Sequence, residues 1–157
     1  MAIYLYLRTS EFELSGVHGS NKQTLDIQLE QEQQALRQYC KAHNWSLEDF
    51  VVDHAAPWNA DFADRDEASA LLARMGEGDT LLVYALERVF SSCYDASAII
   101  ERFKAQGIAL HVAELGGDVT DTSFTLDIVQ SARLFAGLER RRSVERIKNV
   151  KRNERSK

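Results

Sequence analysis

Three arginines, one serine and two carboxylates stand at the ends of short apolar runs of this sequence or, in the case of Arg65, in a loop before a predicted helix. In an open α/β sheet, chemistry collects at the carboxyl ends of the strands, because those ends share one edge of the sheet. We therefore expect the six side chains to meet on one rim. The set consists of Arg8, Ser10, Asp53, Arg65, Glu87 and Arg88.

This combination of residue types is suited to phosphate chemistry. Each guanidinium presents a planar fork of donors that matches phosphate oxygens. A serine among several arginines can attack the phosphorus atom, while the arginines stabilise charge that many phosphoryl-transfer enzymes balance with a metal ion. Ser10 is thus a candidate nucleophile. Any one of these residues alone would indicate only a turn or a solvated surface, so the prediction depends on their shared edge.

The sequence gives little support for a metal or nucleotide site. Its four histidines are scattered, and no glycine-rich phosphate loop follows the first apolar run. Cys40 and Cys93 lack metal-ligand spacing and are too few for a disulfide framework, which predicts two partly buried, reduced thiols. We therefore expect a site that works without a cofactor or a metal.

The elements that must position these residues alternate along the chain. Short runs rich in branched and aromatic residues predict strands over residues 3–7, 47–53, 80–86 and 109–114. Helical spacing predicts helices over residues 28–43, 66–75 and 92–105, and Gly76 and Gly107 mark the ends of the last two. This order predicts an α/β fold with a mostly parallel central sheet flanked by helices.

Length and composition fit one globular domain, because 157 residues with 45% hydrophobic content can bury a core. No apolar stretch approaches the roughly 18 residues that a membrane span needs. The N-terminus also lacks the basic and then apolar regions of a secretion signal. We therefore expect a cytoplasmic protein without a membrane partner.

The last part of the chain differs from the body. Residues 124–157 predict one long helix, because they contain no proline and only Gly137. Residues 1–138 hold 10 basic against 21 acidic residues, a balance of −11, whereas residues 139–157 hold 9 against 3, a balance of +6. A helix that extends beyond its domain needs a binding partner there, so we expect a second subunit, DNA or both. The predicted DNA-phosphate contacts are Arg142, Arg146, Lys148, Lys151 and Arg152.

Four ordered motifs resemble those of the serine recombinases, the resolvase and invertase group, over almost the whole chain. "YLRTS" resembles the Tyr-x-Arg-x-Ser opening of that family, and "DRDEASALL" resembles its Asp-Arg before a leucine-bearing helix. "GDTLLVYALERV" is similar to its strand leading to Asp-Arg-Leu, and "FAGLERRRSVERIKN" to the beginning of its long dimer helix.

The resemblance implies a resolvase-like catalytic domain over residues 1–138 and the start of a basic dimerisation and DNA-contacting helix over residues 139–157. It also implies that Ser10 attacks a phosphodiester of double-stranded DNA, leaving a 5′-phosphoserine linkage and a free 3′-hydroxyl. The subunits of a synaptic tetramer, built from homodimers, would then exchange and rejoin the strands without a cofactor. Arg8, Arg65 and Arg88 would bind the scissile phosphate, and Glu87 stands where the family usually has aspartate.

The chain also departs from the family pattern. Ser91 replaces an arginine expected in the active site, and loss of one transition-state donor costs on the order of 10²–10³ in rate. No helix-turn-helix or larger DNA-binding domain follows the basic segment before Lys157, so we expect a fragment of a longer protein.

Two other interpretations stay open. One is a catalytically impaired recombinase-like module that dimerises, contacts DNA and has a regulatory role. Retention of Ser10 with its three arginines favours the enzyme over that module. A small-ligand or phosphoacceptor protein is the third interpretation, but it would need an acidic cluster or a phosphate loop after the first strand.

Overall fold

The structure, a computed structural model, describes residues 1–10, 22–57, 59–121 and 151. Five strands and four α-helices alternate over this part of the chain, and a short 3₁₀ turn, Phe62–Asp64, precedes the second helix. The strands are β1 (Ile3–Ser10), β2 (Leu47–Ala56), β3 (Thr80–Val83), β4 (Ala109–Val112) and β5 (Gly117–Asp118). The helices are α1 (Lys22–Ala42), α2 (Asp66–Arg74), α3 (Leu86–Val89) and α4 (Cys93–Gln106).

The described strands form one sheet in the order β2-β1-β3-β4-β5. β1 pairs in parallel with β2 and β3, and β3 pairs in parallel with β4, whereas β5 runs antiparallel to β4. The predicted α/β fold with a mostly parallel sheet flanked by helices is confirmed. β5 was not predicted, because two residues leave no periodic signal in a sequence.

Alternation along β1 divides the core into two layers, since successive side chains of a strand face opposite sides of the sheet. Leu5 lies in one buried cluster with Leu36 of α1. Tyr6 lies in the other, together with Leu71 of α2 and Phe103 of α4. α1 therefore covers one face of the sheet, and α2 and α4 cover the other.

The strand order reverses at β1. From β1 the chain moves outward to β2, then returns past β1 to form β3 and β4. α1 packs on one face of the sheet, whereas α3 and α4, which follow β3, pack on the other. In an open parallel sheet this divergence leaves a crevice outside the carboxyl ends of the two strands. The crevice is the place in the fold where a ligand site is expected.

The predicted strand over residues 80–86 is wrong at its carboxyl end. β3 stops at Val83, and Glu87 and Arg88 lie on α3. Leu86 and Val89 are both 1% exposed, and one helical turn buries residues three apart on the same side. β4 likewise ends at Val112, short of the predicted limit. β1 and β2 instead run three residues further than predicted, so Arg8 and Ser10 belong to β1 itself.

The helix predicted over residues 124–157 lies outside the described residues, except for Lys151, which is helical and exposed. Arg142, Arg146, Lys148 and Arg152 lie outside them as well.

Both cysteines are free, with Cys40 buried and Cys93 half-buried, as predicted. None of the helices in the described ranges is long and apolar enough to cross a membrane.

Candidate active site

The end of β1 brings Arg8 and Ser10 to the crevice. The backbone of Ser10 pairs with Ala56 at the end of β2, after a shift of register between Arg8 and Ser10. The side chain of Ser10 lies outside what the structure describes. Arg8 is 2% exposed, and its Nη2 donates to the carbonyl oxygen of Pro57 at 3.3 Å. The loop after β2 therefore helps to hold Arg8 beside the end of β1.

Asp53 fixes the start of α2. Its Oδ1 accepts a hydrogen bond from the Glu67 amide at 3.0 Å, and its Oδ2 accepts one from the Ala68 amide at 2.9 Å. These amides belong to the first turn of α2 and would otherwise lack an intrahelical partner. A carboxylate is also favoured there by the positive end of the helix dipole. Asp53 thereby also fixes Arg65, the residue directly before α2.

Arg65 is a buried cation that joins three parts of the site, with only 3% of its surface exposed. Its Nε and Nη2 donate to the carbonyl oxygen of Ala60 at 3.2 and 3.1 Å. Its Nη1 donates to the hydroxyl of Tyr6 at 3.1 Å and also to the carbonyl oxygen of Val89 on α3. Each guanidinium nitrogen thus has an acceptor within the protein.

Tyr6 connects Arg65 to Asp53. Its hydroxyl accepts from Arg65 and donates to Oδ2 of Asp53 at 2.8 Å, and the residue is 0% exposed. Burial raises the pKa of Tyr6 well above its ordinary value, although the charge of Arg65 opposes the shift. The phenol therefore keeps its proton and continues to donate to Asp53. We call this arrangement the Asp53–Tyr6–Arg65 chain.

The two charged residues of α3 have different neighbours. The Nε of Arg88 donates to Oε1 of Glu32 on α1 at 2.8 Å, with side-chain exposures of 14% and 5%. Glu87 is half-buried. Burial, and then the negative charge of Glu87, raise the pKa of Glu114, so Glu87 lies near the chain that follows β4.

Position 91, where the family pattern has arginine, is surrounded by carboxylates. The hydroxyl of Ser91 donates to Oδ1 of Asp61 at 2.5 Å, and its amide donates to Oδ2 of Asp95 at 2.9 Å. Asp95 also accepts from the amide of Phe62 at 3.1 Å. Burial raises the pKa of Asp95, and the hydrogen bonds from the two amides oppose that shift. A guanidinium at this position would meet Asp61 directly.

The predicted residues therefore surround the crevice but do not form one contact cluster. Arg65 meets α3 through the Val89 carbonyl, whereas Arg88 reaches α1 on the other face of the sheet. Within the described ranges, no three His, Cys, Asp or Glu side chains come together as a metal site would require. The arrangement is rich in buried guanidiniums, which are suited to binding an anion.

Sequence reasoning missed Glu32 and Asp95, and it gave Tyr6 no role in the site. The spacing of Ser92 and Asp95 is typical of a helix start, and the Ser92 hydroxyl does accept from the Asp95 amide. Glu32 carried a weaker signal: a charged residue four positions before Leu36, on the apolar stripe of its helix. Tyr6 is the first residue of the Tyr-x-Arg-x-Ser motif, but a tyrosine inside a buried strand is ordinary core, so the motif gave no sign of its contacts with Asp53 and Arg65.

Two solved structures of similar fold come from recombinases. The N-terminal catalytic domain of TP901-1 integrase has a TM-score of 0.56 and 18% identity, and the match covers 98% of both chains. A resolvase family site-specific recombinase from Streptococcus pneumoniae has a TM-score of 0.58 and 17% identity, over 99% of this chain and 97% of that one. These identities show the fold alone.

Sequence comparison gives the family. No curated protein sequence matches the chain. The family model described as "Resolvase, N terminal domain" matches residues 3–157, which is nearly the whole chain. The chain therefore belongs to the resolvase N-terminal domain family.

Proposed function

We propose that this protein is a site-specific DNA recombinase that cleaves and rejoins double-stranded DNA through Ser10. The observation that carries the proposal is the placement of Arg8 and Ser10 at the end of β1, beside the crevice that Arg65 and Arg88 border. The two recombinase domains of the same fold support it.

In the first step the Oγ of Ser10 attacks a phosphorus atom of the DNA backbone. The new Oγ–P bond replaces the P–O3′ bond, so the 5′ end becomes a phosphoserine ester and the departing 3′ oxygen takes up a proton. The serine proton passes to solvent or to a nearby base. In the second step a 3′-hydroxyl attacks the phosphoserine, and Ser10 regains its proton as it leaves. The ester conserves the energy of the phosphodiester, which hydrolysis by water would lose.

The arginines supply positive charge around the reacting phosphate. Arg8 and Arg88 contact a backbone carbonyl and a carboxylate respectively, and phosphate oxygens are acceptors of the same kind. Arg65 uses every guanidinium nitrogen within the protein. We therefore assign Arg65 two tasks: it holds the loop before α2, and it contributes its charge from a buried position.

DNA and a second subunit are the partners in this proposal. The basic segment over residues 139–157 is suited to the DNA backbone, because phosphate contacts position a protein without specifying sequence. Homodimers would pair into a synaptic tetramer for strand exchange, with Arg142, Arg146, Lys148, Lys151 and Arg152 on the DNA.

A cleavage assay with supercoiled DNA from around the protein's own gene tests the proposal. The longest natural form of the protein is incubated with this DNA, the reaction is quenched with detergent, and DNA ends carrying protein are counted. We expect protein on 5′ ends, none with Ser10→Ala, and reduced rates with Arg8→Lys and Arg88→Lys. Cleavage that survives Ser10→Ala would overturn the proposal.

The surroundings of Ser91 favour one alternative, a recombinase-like module that binds DNA and regulates without cleaving it. Ser91 donates to Asp61 where the family pattern has a guanidinium, so a neutral hydroxyl beside a carboxylate takes the place of a positive charge. Ser91→Arg decides between the two functions, because it restores the guanidinium of the family pattern. Cleavage by the Ser91→Arg variant alone would favour the regulatory module, and cleavage by the unmodified chain would favour the enzyme.

A further inference from the structure

Glu32 is a buried carboxylate to which neither the sequence motifs nor the proposed mechanism gives a role. Its side chain is 5% exposed, and its Oε1 accepts from the Nε of Arg88 at 2.8 Å. Taking both charges out of water is costly, and their attraction often repays that cost only in part. A buried pair of this kind is therefore a weak stabiliser. Its clearest effect is on where the guanidinium of Arg88 is held.

α1 holds the carboxylate of Glu32 in a fixed position. Leu36 and Cys40 follow Glu32 at intervals of four residues and are 0% and 6% exposed. They pack against Leu5 and Leu7 of β1 in one cluster, so Glu32 shares the buried stripe of its helix. Its position is therefore fixed relative to the strand that carries Ser10.

Arg88 belongs to a much shorter helix, in which Leu86 and Val89 are buried. It lies on α3, a helix of four residues, and an arginine side chain carries about 2 kcal/mol of rotamer entropy. A hydrogen-bonded, charged partner restricts that freedom. The contact to Glu32 uses the Nε of the guanidinium.

We propose that Glu32 is a positioning residue for Arg88 in DNA cleavage, an inference that rests on the proposed function. Glu32 contacts Arg88 and not the DNA. It sets the plane and direction of the guanidinium at the carboxyl ends of β1 and β3, where the scissile phosphate would lie. Misplacement of a reacting or stabilising group by about 1 Å costs on the order of 10²-fold in rate, so the effect belongs to the rate of cleavage and not to the affinity for DNA.

Variants of Glu32 separate positioning from simple packing. Glu32→Gln keeps an acceptor oxygen, and Glu32→Leu removes it at similar volume. Glu30→Leu, at an exposed position of the same helix, is the matched control. Each is measured in the longest natural protein with the same supercoiled plasmid, as the rate at which the Ser10–DNA adduct appears and as DNA affinity in a binding assay. We expect Glu32→Leu to slow the adduct on the order of 10²-fold at unchanged affinity, with Glu32→Gln and Glu30→Leu close to the parent rate.

A double-mutant cycle with Arg88→Lys is the second readout. If Glu32 acts through Arg88, adding Glu32→Leu to Arg88→Lys changes the rate little, whereas independent roles give additive losses. Additive losses would overturn the inference, as would a parent-like rate in Glu32→Leu.

Should Glu32→Leu fail to fold, Glu32→Asp replaces it: the shorter side chain withdraws the carboxylate, and an unchanged rate would contradict positioning. A parent protein that forms no adduct overturns the proposed function itself, a result distinct from a reactive parent with equally reactive Glu32 variants.

Discussion

At the scale of single residues, the site depends on buried polar groups that satisfy one another. The Asp53–Tyr6–Arg65 chain joins β2, β1 and the segment before α2 through one phenol. Each of its members is at most 5% exposed. In buried surroundings water does not readily replace a lost hydrogen bond, so the cost of removing one member exceeds that of one exposed hydrogen bond.

Tyr6→Phe tests this chain with little change in volume. The substitution removes the hydroxyl between a buried carboxylate and a buried guanidinium, and we expect it to lower the free energy of unfolding by about 1–3 kcal/mol. Tyr94→Phe is the control, because Tyr94 is 81% exposed. Urea unfolding of both variants measures the effect. Equal stabilities would show that the chain contributes nothing.

At the scale of elements, short turns and helix ends fix how the strands approach the crevice. α4 ends at Gly107, which has a left-handed φ of 69° and leads directly toward β4. β1 and β3 are joined at their beginnings by Asp79, whose Oδ1 accepts from the Ala2 amide at 2.9 Å and whose Oδ2 accepts from the Gly76 amide at 2.8 Å. Both features lie at the amino ends of the strands, whereas the candidate site lies at the carboxyl ends.

Gly107→Ala should destabilise the protein for two reasons. Alanine is strained at a positive φ, and its Cβ would lie 2.8 Å from Cγ of Glu77. The left-handed strain alone suggests a loss of about 1–2 kcal/mol in the free energy of unfolding. Gly76→Ala is the matched control, since an added Cβ there would meet no atom within 4 Å. Thermal unfolding that ranks the two variants equally would contradict this account of the α4 end.

Asp79 should make stability depend on acid pH. Hydrogen bonds from the Gly76 and Ala2 amides hold the pKa of Asp79 below its ordinary value. The stabilisation is therefore complete above the pKa of an unfolded aspartate, about 3.9, and is lost as the pH falls through the lower folded value. Asp79→Asn should be less stable than the parent at neutral pH, and the difference should shrink on acidification. Urea unfolding across that range measures it, with Glu101→Gln on exposed α4 surface as control. A difference that is constant with pH would argue against the assignment.

Most of the strands and helices could be predicted from the sequence, and those that were missed were missed for physical reasons. Periodicity located β1 to β4 and the three longer helices, because each buries a continuous face. It missed the turn at α3, since Leu86 and Val89 fit either the end of a strand or one helical turn. The candidate residues Arg8, Arg65 and Arg88 could be named from motifs. Their partners Glu32 and Pro57 could not, and the motif that contains Tyr6 did not show what Tyr6 contacts, because these contacts join distant parts of the chain that no local pattern relates.

At the scale of the whole molecule, charge is divided between an acidic body and a basic end, with balances of −11 over residues 1–138 and +6 over residues 139–157. Under the proposed function, such a division would orient the protein on DNA, because a polyanion is repelled by acidic and attracted by basic segments. The proposed function therefore places most of the salt-dependent DNA affinity in the last segment.

Salt dependence of DNA binding tests this division. Alanine substitutions should reduce the slope of log affinity against log salt concentration by up to about 0.9 for each lost contact on duplex DNA. The substituted residues are Arg142, Arg146, Lys148, Lys151 and Arg152. The control is the pair Arg102→Ala and Lys104→Ala on the exposed side of α4. An equal flattening in the control would place the DNA elsewhere on the protein.

The covalent adduct tests the central claim most directly. The longest natural protein is incubated with supercoiled DNA from around its own gene, quenched with detergent and digested with nuclease and protease, and the peptide that contains Ser10 is analysed by mass spectrometry. We predict a nucleotide 5′-phosphate on Ser10, matched by free 3′-hydroxyl ends on the DNA and abolished by Ser10→Ala. Cleaved DNA with an unmodified Ser10 peptide, or with phosphate retained on the 3′ ends, would contradict it.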